Sequence, residues 1–207
     1  MKNVVLMMVV LGCVATATPL YAPTPPPDSA FVRLVNASTI ATKLGIGQKV
    51  MSFQSQESSA YQVFKEGAYT LSGGTATQLS GGTATSIRLE AGNFYTAILL
   101  SGKWWINTDR TNSSLTQARI AVYNASSLTV SVKTADGKLA LWEKLAAKQY
   151  QMRPVNAVKV RLAVFVGSKI LALPETELEP NTAYSIFIFG DAKTQQAIWR
   201  LNRTEAL

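Results

Sequence analysis

Four residues have side chains suited to recognising a partner: Trp104, Trp105, Lys159 and Arg161. Side chains of consecutive strand residues point to opposite faces, so at most one of the two tryptophans belongs to the core. The other is then exposed or covered by another part of the molecule. Lys159 and Arg161 alternate with valines and form a basic spot on one face of a predicted strand. We therefore take these four as candidate partner-binding residues.

Histidine is absent from the 207 residues, and its absence excludes several kinds of site. It removes the Ser-His-Asp arrangement, the usual Cys-His pair and histidine metal ligands. A carboxylate pair or a lysine base stays open in principle, as in an acetylesterase or a lyase working through Lys, Tyr and Arg. Because no such residues stand at a recognisable spacing, we predict no catalytic residue, no cofactor and no enzyme activity.

Three glutamates, Glu175, Glu177 and Glu179, alternate ahead of Pro180. This spacing places three carboxylates on one face of a strand, where like charges repel unless a cation lies between them. A calcium ion is one interpretation, but no aspartate-rich loop accompanies the glutamates. We therefore predict no metal site.

A glycine-rich segment of eight residues is written twice in succession, at residues 71–78 and 79–86. Glycine-rich loops can hold phosphate, but a P-loop needs a lysine after its last glycine and a helix after that. Neither is present. The repeat is more typical of a duplicated hairpin or a flexible loop, in which glycine supplies positive φ at the turn.

Two pairs of similar segments indicate that the chain contains two copies of one unit. Residues 31–38, Phe-Val-Arg-Leu-Val-Asn-Ala-Ser, resemble residues 119–126, Arg-Ile-Ala-Val-Tyr-Asn-Ala-Ser. Residues 89–99 likewise resemble residues 178–188, at an offset that differs by one residue from that of the first pair. This period is far longer than that of a solenoid repeat.

Each copy of the first segment alternates apolar and other side chains, as a strand does, and stops at Asn-Ala-Ser. There the side chains of Asn36 and Asn124 can bond to their own backbone in a turn. We therefore predict an all-β fold of two tandem β-sandwich-like domains. The predicted boundaries place a proline-rich leader and the first domain at residues 18–112, and the second domain at residues 113–207.

The second copy contains the clearest strand pattern, at residues 156–167. Five apolar side chains at alternate positions are expected to face inward: Val158, Val160, Leu162, Val164 and Val166. Upstream, Asp136-Gly137 between two alternating runs predicts a hairpin turn. Residues 139–150 fit either a helix or a strand followed by a turn, and the surrounding strands favour the second.

The first 17 residues have the charged, apolar and small-residue regions of a secretory signal peptide. The apolar run is too short for a spanning helix, which needs about 20 residues. We expect cleavage after Ala17 and export of a soluble protein. In a rival interpretation, Cys13 is the acylated residue of a lipoprotein signal.

The positive charge is concentrated in the second predicted domain, which has 12 Lys and Arg against seven Asp and Glu. Residues 18–112 have seven Lys and Arg against five Asp and Glu. For an exported protein, this balance favours a polyanionic glycan, a membrane surface or an acidic protein over nucleic acid as partner. Scattered charges that keep a β protein soluble would give the same balance.

Four segments resemble the AlgF family of periplasmic alginate O-acetylation proteins. They are residues 20–23 (Leu-Tyr-Ala-Pro), 31–38, 133–138 (Lys-Thr-Ala-Asp-Gly-Lys) and 156–160 (Asn-Ala-Val-Lys-Val). The resemblance covers essentially the whole chain after the signal, in the same order. It implies a soluble periplasmic protein of two β-sandwich-like domains that is required when an exported polysaccharide is acetylated.

The resemblance also implies partners. In that family the acetyl group passes from a membrane-bound O-acyltransferase to periplasmic SGNH-type acetyltransferases, whose chemistry uses a Ser-His-Asp set. A chain without histidine cannot supply that chemistry, so we expect a non-catalytic adaptor that mediates interactions among these proteins. The alternative is a carbohydrate-binding module, in which tryptophans stack on sugar rings and basic residues pair with the carboxylates of an anionic polysaccharide.

Overall fold

The computed structural model describes residues 24–75, 82–109 and 114–205, and every regular element within these ranges is a β-strand. The first half contains β1 (Ser29–Asn36), β2 (Thr42–Ile46), β3 (Lys49–Phe53), β4 (Glu57–Ser58), β5 (Gln62–Lys65), β6 (Gly67–Thr75), β7 (Thr83–Leu89), β8 (Phe94–Leu100) and β9 (Lys103–Asp109). The second half contains β10 (Gln117–Ser126), β11 (Val130–Thr134), β12 (Ala140–Leu145), β13 (Tyr150–Asn156), β14 (Lys159–Val160), β15 (Leu162–Val166), β16 (Lys169–Ala172), β17 (Thr176–Glu177), β18 (Ala183–Gly190) and β19 (Gln195–Leu201). Within the described ranges, no helix has the length and apolar character needed to cross a membrane.

The first half folds as two facing sheets. One has the strand order β4-β1-β8-β9, with β5 also pairing with β1, and the other has the order β3-β2-β6-β7. Strands β1 and β8 run parallel, with Val32 opposite Tyr95. Alternate side chains of the two sheets turn towards each other, and they form a core that includes Leu34, Leu44 and Leu71.

The second half repeats this arrangement, with the single strand β13 in the place of β4 and β5. Its sheets have the orders β13-β10-β18-β19 and β12-β11-β15-β16, and its parallel pair is β10 and β18, with Ile120 opposite Tyr184. Its core includes Val122, Trp142 and Ile186. One further pair, β14 with β17, is specific to this half among the described strands. The structure thus confirms an all-β fold of two tandem β-sandwich-like domains.

The repeated Asn-Ala-Ser segments form the same turn in both halves. The side-chain oxygen of Asn124 accepts from the backbone N–H of Ser126 at 3.1 Å, and its amide nitrogen donates to the carbonyl oxygens of Leu128, Leu145 and Ala146. Asn36 bonds in the same way to its own turn and to the neighbouring hairpin. The predicted bond between asparagine and its own backbone is confirmed, and it also ties the turn to the opposite sheet.

The two sandwiches pack against each other through the outer faces of the β1 and β10 sheets. Val35 and Ile98 from the first half join Tyr123, Phe187 and Phe189 from the second in a separate buried cluster, which we call the interdomain cluster. The cores of the two sandwiches lie on the other faces of the same two sheets. The molecule therefore has four layers, and its middle two layers meet at the interdomain cluster.

The end of the chain extends this contact between the halves. The backbone N–H of Tyr61 donates to the carbonyl oxygen of Arg203 at 2.9 Å, and that of Glu205 donates to the carbonyl oxygen of Tyr61 at 2.8 Å. Residues beyond β19 thus pair with the first sandwich as an added edge segment.

Several predicted features fall partly or wholly outside the described residues. These are the signal at residues 1–17, the boundary between residues 112 and 113, and the middle of the glycine-rich repeat. The flanks of that repeat are β6 and β7, which pair as an antiparallel hairpin with Gly73 opposite Thr83.

The prediction of one continuous strand over residues 156–167 is wrong. The strand breaks at Arg161, because β14 pairs with β17 whereas β15 pairs with β11 and β16. Val158, predicted to face inward, is 53% exposed, while Leu162 and Val164 are buried as expected. The predicted hairpin turn is confirmed between β11 and β12, where Gly137 has a φ of 75°. Residues 139–150 form a strand and a turn rather than a helix.

Candidate functional site

Arg33 lies at the centre of a buried polar network that joins the two halves. It occupies the middle of β1 and is 1% exposed. Its guanidinium donates within the first half to Thr96 Oγ1, from Nε at 3.2 Å and from Nη2 at 2.9 Å. Across the interface it donates to the hydroxyls of Tyr123 and Ser185, at 3.2 and 3.1 Å, and to Asn202 Oδ1 at 2.8 Å.

Asp109, the last residue of β9, is the anion of this network. Its carboxylate lies 3.9 Å from Nη2 of Arg33, and it accepts hydrogen bonds from the hydroxyls of Tyr61, Thr96 and Tyr123. The carboxylate thus has a cation and three hydroxyl donors around it. We call Arg33, Asp109 and the polar groups bonded to them the Arg33 network.

Aromatic rings surround the guanidinium and separate it from water. The Arg33 guanidinium carbon lies 4.5 Å from the ring centre of Tyr61 and 4.8 Å from that of Phe187. Both distances are within the range of cation–π attraction. Burial raises the pKa of Tyr61 and of Tyr123 above the ordinary value of 10.0, and the neighbouring Asp109 carboxylate acts in the same direction. Both phenols are therefore neutral donors at physiological pH.

An open cleft of about 400 Å³ lies beside the Arg33 network, between the two halves. Its walls come from both sandwiches and combine aromatic rings, amides and charged groups: Tyr61, Phe94, Asp109, Arg119, Tyr150 and Asn202. Clefts at domain interfaces are common places for ligands. This interdomain cleft brings aromatic rings, amides and charged groups of both halves to one concave surface.

The arrangement does not suit nucleophilic chemistry. A catalytic hydroxyl needs a base that removes its proton and a path to the substrate. Thr96 is bonded to Asp109, but it is 0% exposed and its oxygen accepts two bonds from Arg33. The Asp109 oxygens are occupied by phenol and threonine hydroxyls. The network therefore holds the two halves together rather than presenting a reactive group.

The two candidate tryptophans lie on opposite faces of β9, as predicted. Trp104 packs on the core of the first sandwich. Trp105 packs on the interdomain cluster, where its ring centre lies 6.5 Å from that of Tyr123 in an edge-to-face arrangement. Trp105 is thus covered by the second half, which is the second of the two predicted alternatives. Both side chains remain partly accessible.

The candidate cations Lys159 and Arg161 are both exposed and share one partner, Glu175. Nζ of Lys159 pairs with one carboxylate oxygen, and Nε of Arg161 donates to the other at 3.2 Å. Hydrogen bonds from Lys159 and then from Arg161 lower the pKa of the Glu175 carboxyl. Within the described ranges, no three metal-ligating side chains form a cluster.

Sequence reasoning missed Arg33, Asp109 and their partners. A signal was available in the repeat, because Arg33 stands where the second copy has Ala121. Both faces of β1 are otherwise apolar, as in a strand buried on both sides. A charged residue in such a strand needs a buried partner. The identity of that partner depends on the packing of the two halves, which local periodicity does not contain.

Comparison with known proteins gives consistent matches. The family model described as Alginate O-acetyl transferase AlgF matches residues 3–184. The alginate biosynthesis protein AlgF of Pseudomonas syringae pv. tomato is 28% identical over 182 residues, which cover 87% of this chain and 79% of the relative. The alginate biosynthesis protein AlgF of Pseudomonas aeruginosa is 26% identical over 182 residues, which cover 87% of this chain and 82% of the relative.

Among solved structures, the C-terminal domain of AlgF from P. aeruginosa is 29% identical, with a TM-score of 0.38, and the match covers 42% of this chain and 98% of that domain. The N-terminal domain of the same protein is 24% identical, with a TM-score of 0.35, and the match covers 42% of this chain and 100% of that domain. The family model spans most of the sequence, including both copies of the Asn-Ala-Ser strand. The chain belongs to the AlgF family.

Proposed function

We propose that this protein acts in alginate biosynthesis as a non-catalytic periplasmic adaptor for O-acetylation of the exported polysaccharide. In this role it binds SGNH-type acetyltransferases and the membrane-bound O-acyltransferase, and keeps them close to the polymer. Membership of the AlgF family supports the pathway, since its curated relatives are named alginate biosynthesis proteins.

The observation that carries the non-catalytic role is the burial of the Arg33 network. In this network a hydroxyl, a carboxylate and a guanidinium converge. Arg33, Thr96 and Asp109 bond to one another within the first half, and Arg33 and Asp109 also bond across the interface. Both Arg33 and Thr96 are buried and inaccessible to substrate. Acetyl transfer needs an accessible nucleophile with a base, and the sequence has no histidine to act as one.

An adaptor needs exposed surfaces on a rigid body, and the fold offers both. The interdomain cluster and the Arg33 network join the two sandwiches, so their outer surfaces keep a fixed relation. Lys159 and Arg161 are exposed on the second sandwich, and they remain candidate partner-binding residues together with the partly accessible Trp104 and Trp105.

The test combines a cellular and a purified assay. We expect a strain that lacks this protein to export polymer with little or no acetyl ester, and expression of the protein in trans to restore the ester content. The purified protein should bind a purified SGNH-type acetyltransferase from the same strain and should neither transfer acetyl groups nor hydrolyse acetyl esters. Acetyl transfer by the purified protein alone would refute the non-catalytic role.

A carbohydrate-binding module is the second candidate, and the interdomain cleft favours it. Phe94 and Tyr150 are partly accessible aromatic rings at this cleft, and Arg119 lies in its wall as a cation suited to a uronate carboxylate. Binding through charge should weaken strongly with salt, since the screening length falls from about 8 Å at physiological strength to about 3 Å at 1 M. Absence of polyuronate binding at low salt, measured by calorimetry, would exclude this candidate.

A further inference from the structure

The second sandwich has an apolar groove along one side, between the edge strands of its two sheets. Strand β12 is the edge of one sheet and β13 is the edge of the other. The groove between them has a volume of about 610 Å³. Its floor reaches the core residues Ile120, Leu162 and Leu178.

Apolar side chains at the rim of this groove are exposed to solvent. Leu139, just before β12, is 64% exposed, and Val158, just before β14, is 53% exposed. Leu141 and Val155 continue the apolar surface towards the floor. Single exposed apolar residues are common on proteins, but a contiguous apolar surface that opens onto a core is typical of an interaction site.

The first sandwich closes the corresponding side with a polar contact. There Lys49, which pairs with Ile46 at the start of its hairpin strand, donates from Nζ to Gln62 Oε1 on the opposite sheet. Leu139 and Arg153 hold the equivalent two positions in the second half. Leu139 bonds to Thr134 across the hairpin there, and Arg153 lies opposite Ile120 on β10.

Leu139 cannot make the bond that Lys49 makes. Arg153 bonds instead to the carbonyl oxygen of Leu141 at 2.6 Å and lies over the ring of Trp142. The side between the two sheets is thus open and apolar in the second sandwich, whereas polar side chains bridge it in the first.

The charge around the groove selects the kind of partner. Arg153 is the charged residue among the described lining residues, whereas Lys159, next to Val158 on the rim, is already paired with Glu175. The half that contains the groove also has the larger excess of Lys and Arg. An apolar segment that carries a carboxylate therefore complements this surface better than a basic segment does.

We propose that this groove is a docking site for an extended segment of a partner acetyltransferase, with apolar side chains at alternate positions and an Asp or Glu that pairs with Arg153. An extended segment fits between two edge strands, as in other complexes in which peptides bind along sheet edges. The proposal rests on the adaptor function above and assigns the surface through which it operates.

The test uses the full-length protein and a purified SGNH-type acetyltransferase from the same strain. We expect Leu139→Glu and Val158→Glu each to weaken the complex by about 30-fold or more, as substitutions at interface hot spots do. The same charge at Val50 or Ile170, which are 45% and 55% exposed elsewhere, should change the affinity by less than about threefold. Circular dichroism and melting temperature establish that each variant is folded.

Three results distinguish the proposal from its alternatives. If the wild-type protein forms the complex and both groove variants bind equally well, the groove is not the docking site, although the adaptor function stands. If the wild-type protein binds no acetyltransferase, the adaptor function itself fails. If the protein forms dimers in solution that Leu139→Glu dissolves, the occupant is a second copy of this chain and the proposal is overturned.

Discussion

The stability of the interface depends on single residues, above all on Arg33 and Asp109. Removing two charges from water costs several kcal/mol for each ion, and the cost is offset only when geometry and hydrogen bonds are good. Here each charge has both the opposite charge and several neutral donors or acceptors. Such a pair is strongly destabilised when one member is removed, because the other is left buried and uncompensated.

We therefore expect Arg33→Met to lower the free energy of unfolding by about 3–5 kcal/mol, measured by urea denaturation at neutral pH. Asp109 would then lack its cation. The double variant Arg33→Met/Asp109→Asn removes both charges and should recover a clear part of this loss. Additive losses in the double variant would show that the two charges are not coupled.

The buried phenols predict a loss of stability at alkaline pH. The pKa values of Tyr61 and Tyr123 are raised by burial above 10.0, whereas in the unfolded chain they are close to it. Below about pH 10 both tyrosines are neutral in the folded and in the unfolded protein, so their ionisation does not change the stability. As pH rises further, the unfolded state ionises first, so stability falls by up to about 1.4 kcal/mol per pH unit for each tyrosine.

Urea denaturation between pH 8 and 11 measures this slope, and Tyr123→Phe should make it shallower. An unchanged slope in this variant would mean that Tyr123 titrates in the folded protein as it does in the unfolded chain. Tyr69→Phe is a matched control, because Tyr69 is only partly buried and its hydroxyl bonds to the carbonyl oxygen of Lys65 at the surface.

At the scale of elements, the two Asn-Ala-Ser turns connect the sheets of each sandwich. The amide of Asn124 satisfies three carbonyl oxygens that lie in or beside buried structure. Replacing it with alanine leaves these acceptors without their donor, and each such group costs about 1–3 kcal/mol.

We expect Asn124→Ala to destabilise the protein by at least about 2 kcal/mol in thermal or chemical unfolding. Asn124→Asp should also be destabilising, because a carboxylate keeps the bond from Ser126 but cannot donate to the carbonyl oxygens. The neighbouring exposed Ser127→Ala should have little effect. Equal stability of Asn124→Asp and the parent protein would contradict this account.

The elements themselves were largely predictable, because alternation and turn residues are local signals. The repeat predicted two similar sandwiches, and Asn36 and Asn124 predicted the turns. The prediction of one strand over residues 156–167 failed because the alternation of apolar and polar side chains continues through Arg161, whereas the pairing partner changes there from β17 to β11. Periodicity records which face a side chain occupies, but it does not record which strand lies beside it.

The Arg33 network could not be predicted, because its members are far apart in the sequence. Arg33 contacts Ser185 and Asn202 only after both sandwiches have formed and packed. The candidate tryptophans and basic residues were easier to find, since unusual residues on a strand are visible locally. Their role as binding residues stays a prediction.

At the scale of the whole molecule, the interdomain cluster makes the two sandwiches one cooperative unit. Phe187 is completely buried, packs on Tyr123 at 4.7 Å between ring centres, and lies 4.8 Å from the Arg33 guanidinium carbon. Each sandwich nevertheless has its own core. Weakening the contact between them should therefore leave two units that can unfold separately.

We expect the parent protein to unfold in a single calorimetric transition and Phe187→Ala to unfold in two. Replacing a buried phenylalanine with alanine costs about 3–5 kcal/mol, and here the loss falls on the contact between the halves. Ile186→Ala is the control, because Ile186 faces the core of the second sandwich. It should lower the stability of that sandwich without dividing the unfolding into two transitions. A single transition in Phe187→Ala would show that the rest of the interdomain cluster and the Arg33 network are sufficient for coupling.

The four-layer arrangement also determines the order in which a growing chain can hide its apolar surface. Arg33 meets partners 152 and 169 residues further along the chain, and contacts at such separation form slowly. When synthesis has passed β9, the first sandwich can already form, but Val35 and Ile98 still face water. Incomplete chains, and chains truncated before β18, therefore display an apolar sheet face that favours aggregation. Strands β10 and β18 together cover the outer face of the first sandwich, so the growing chain is protected from self-association only after β18 has been added.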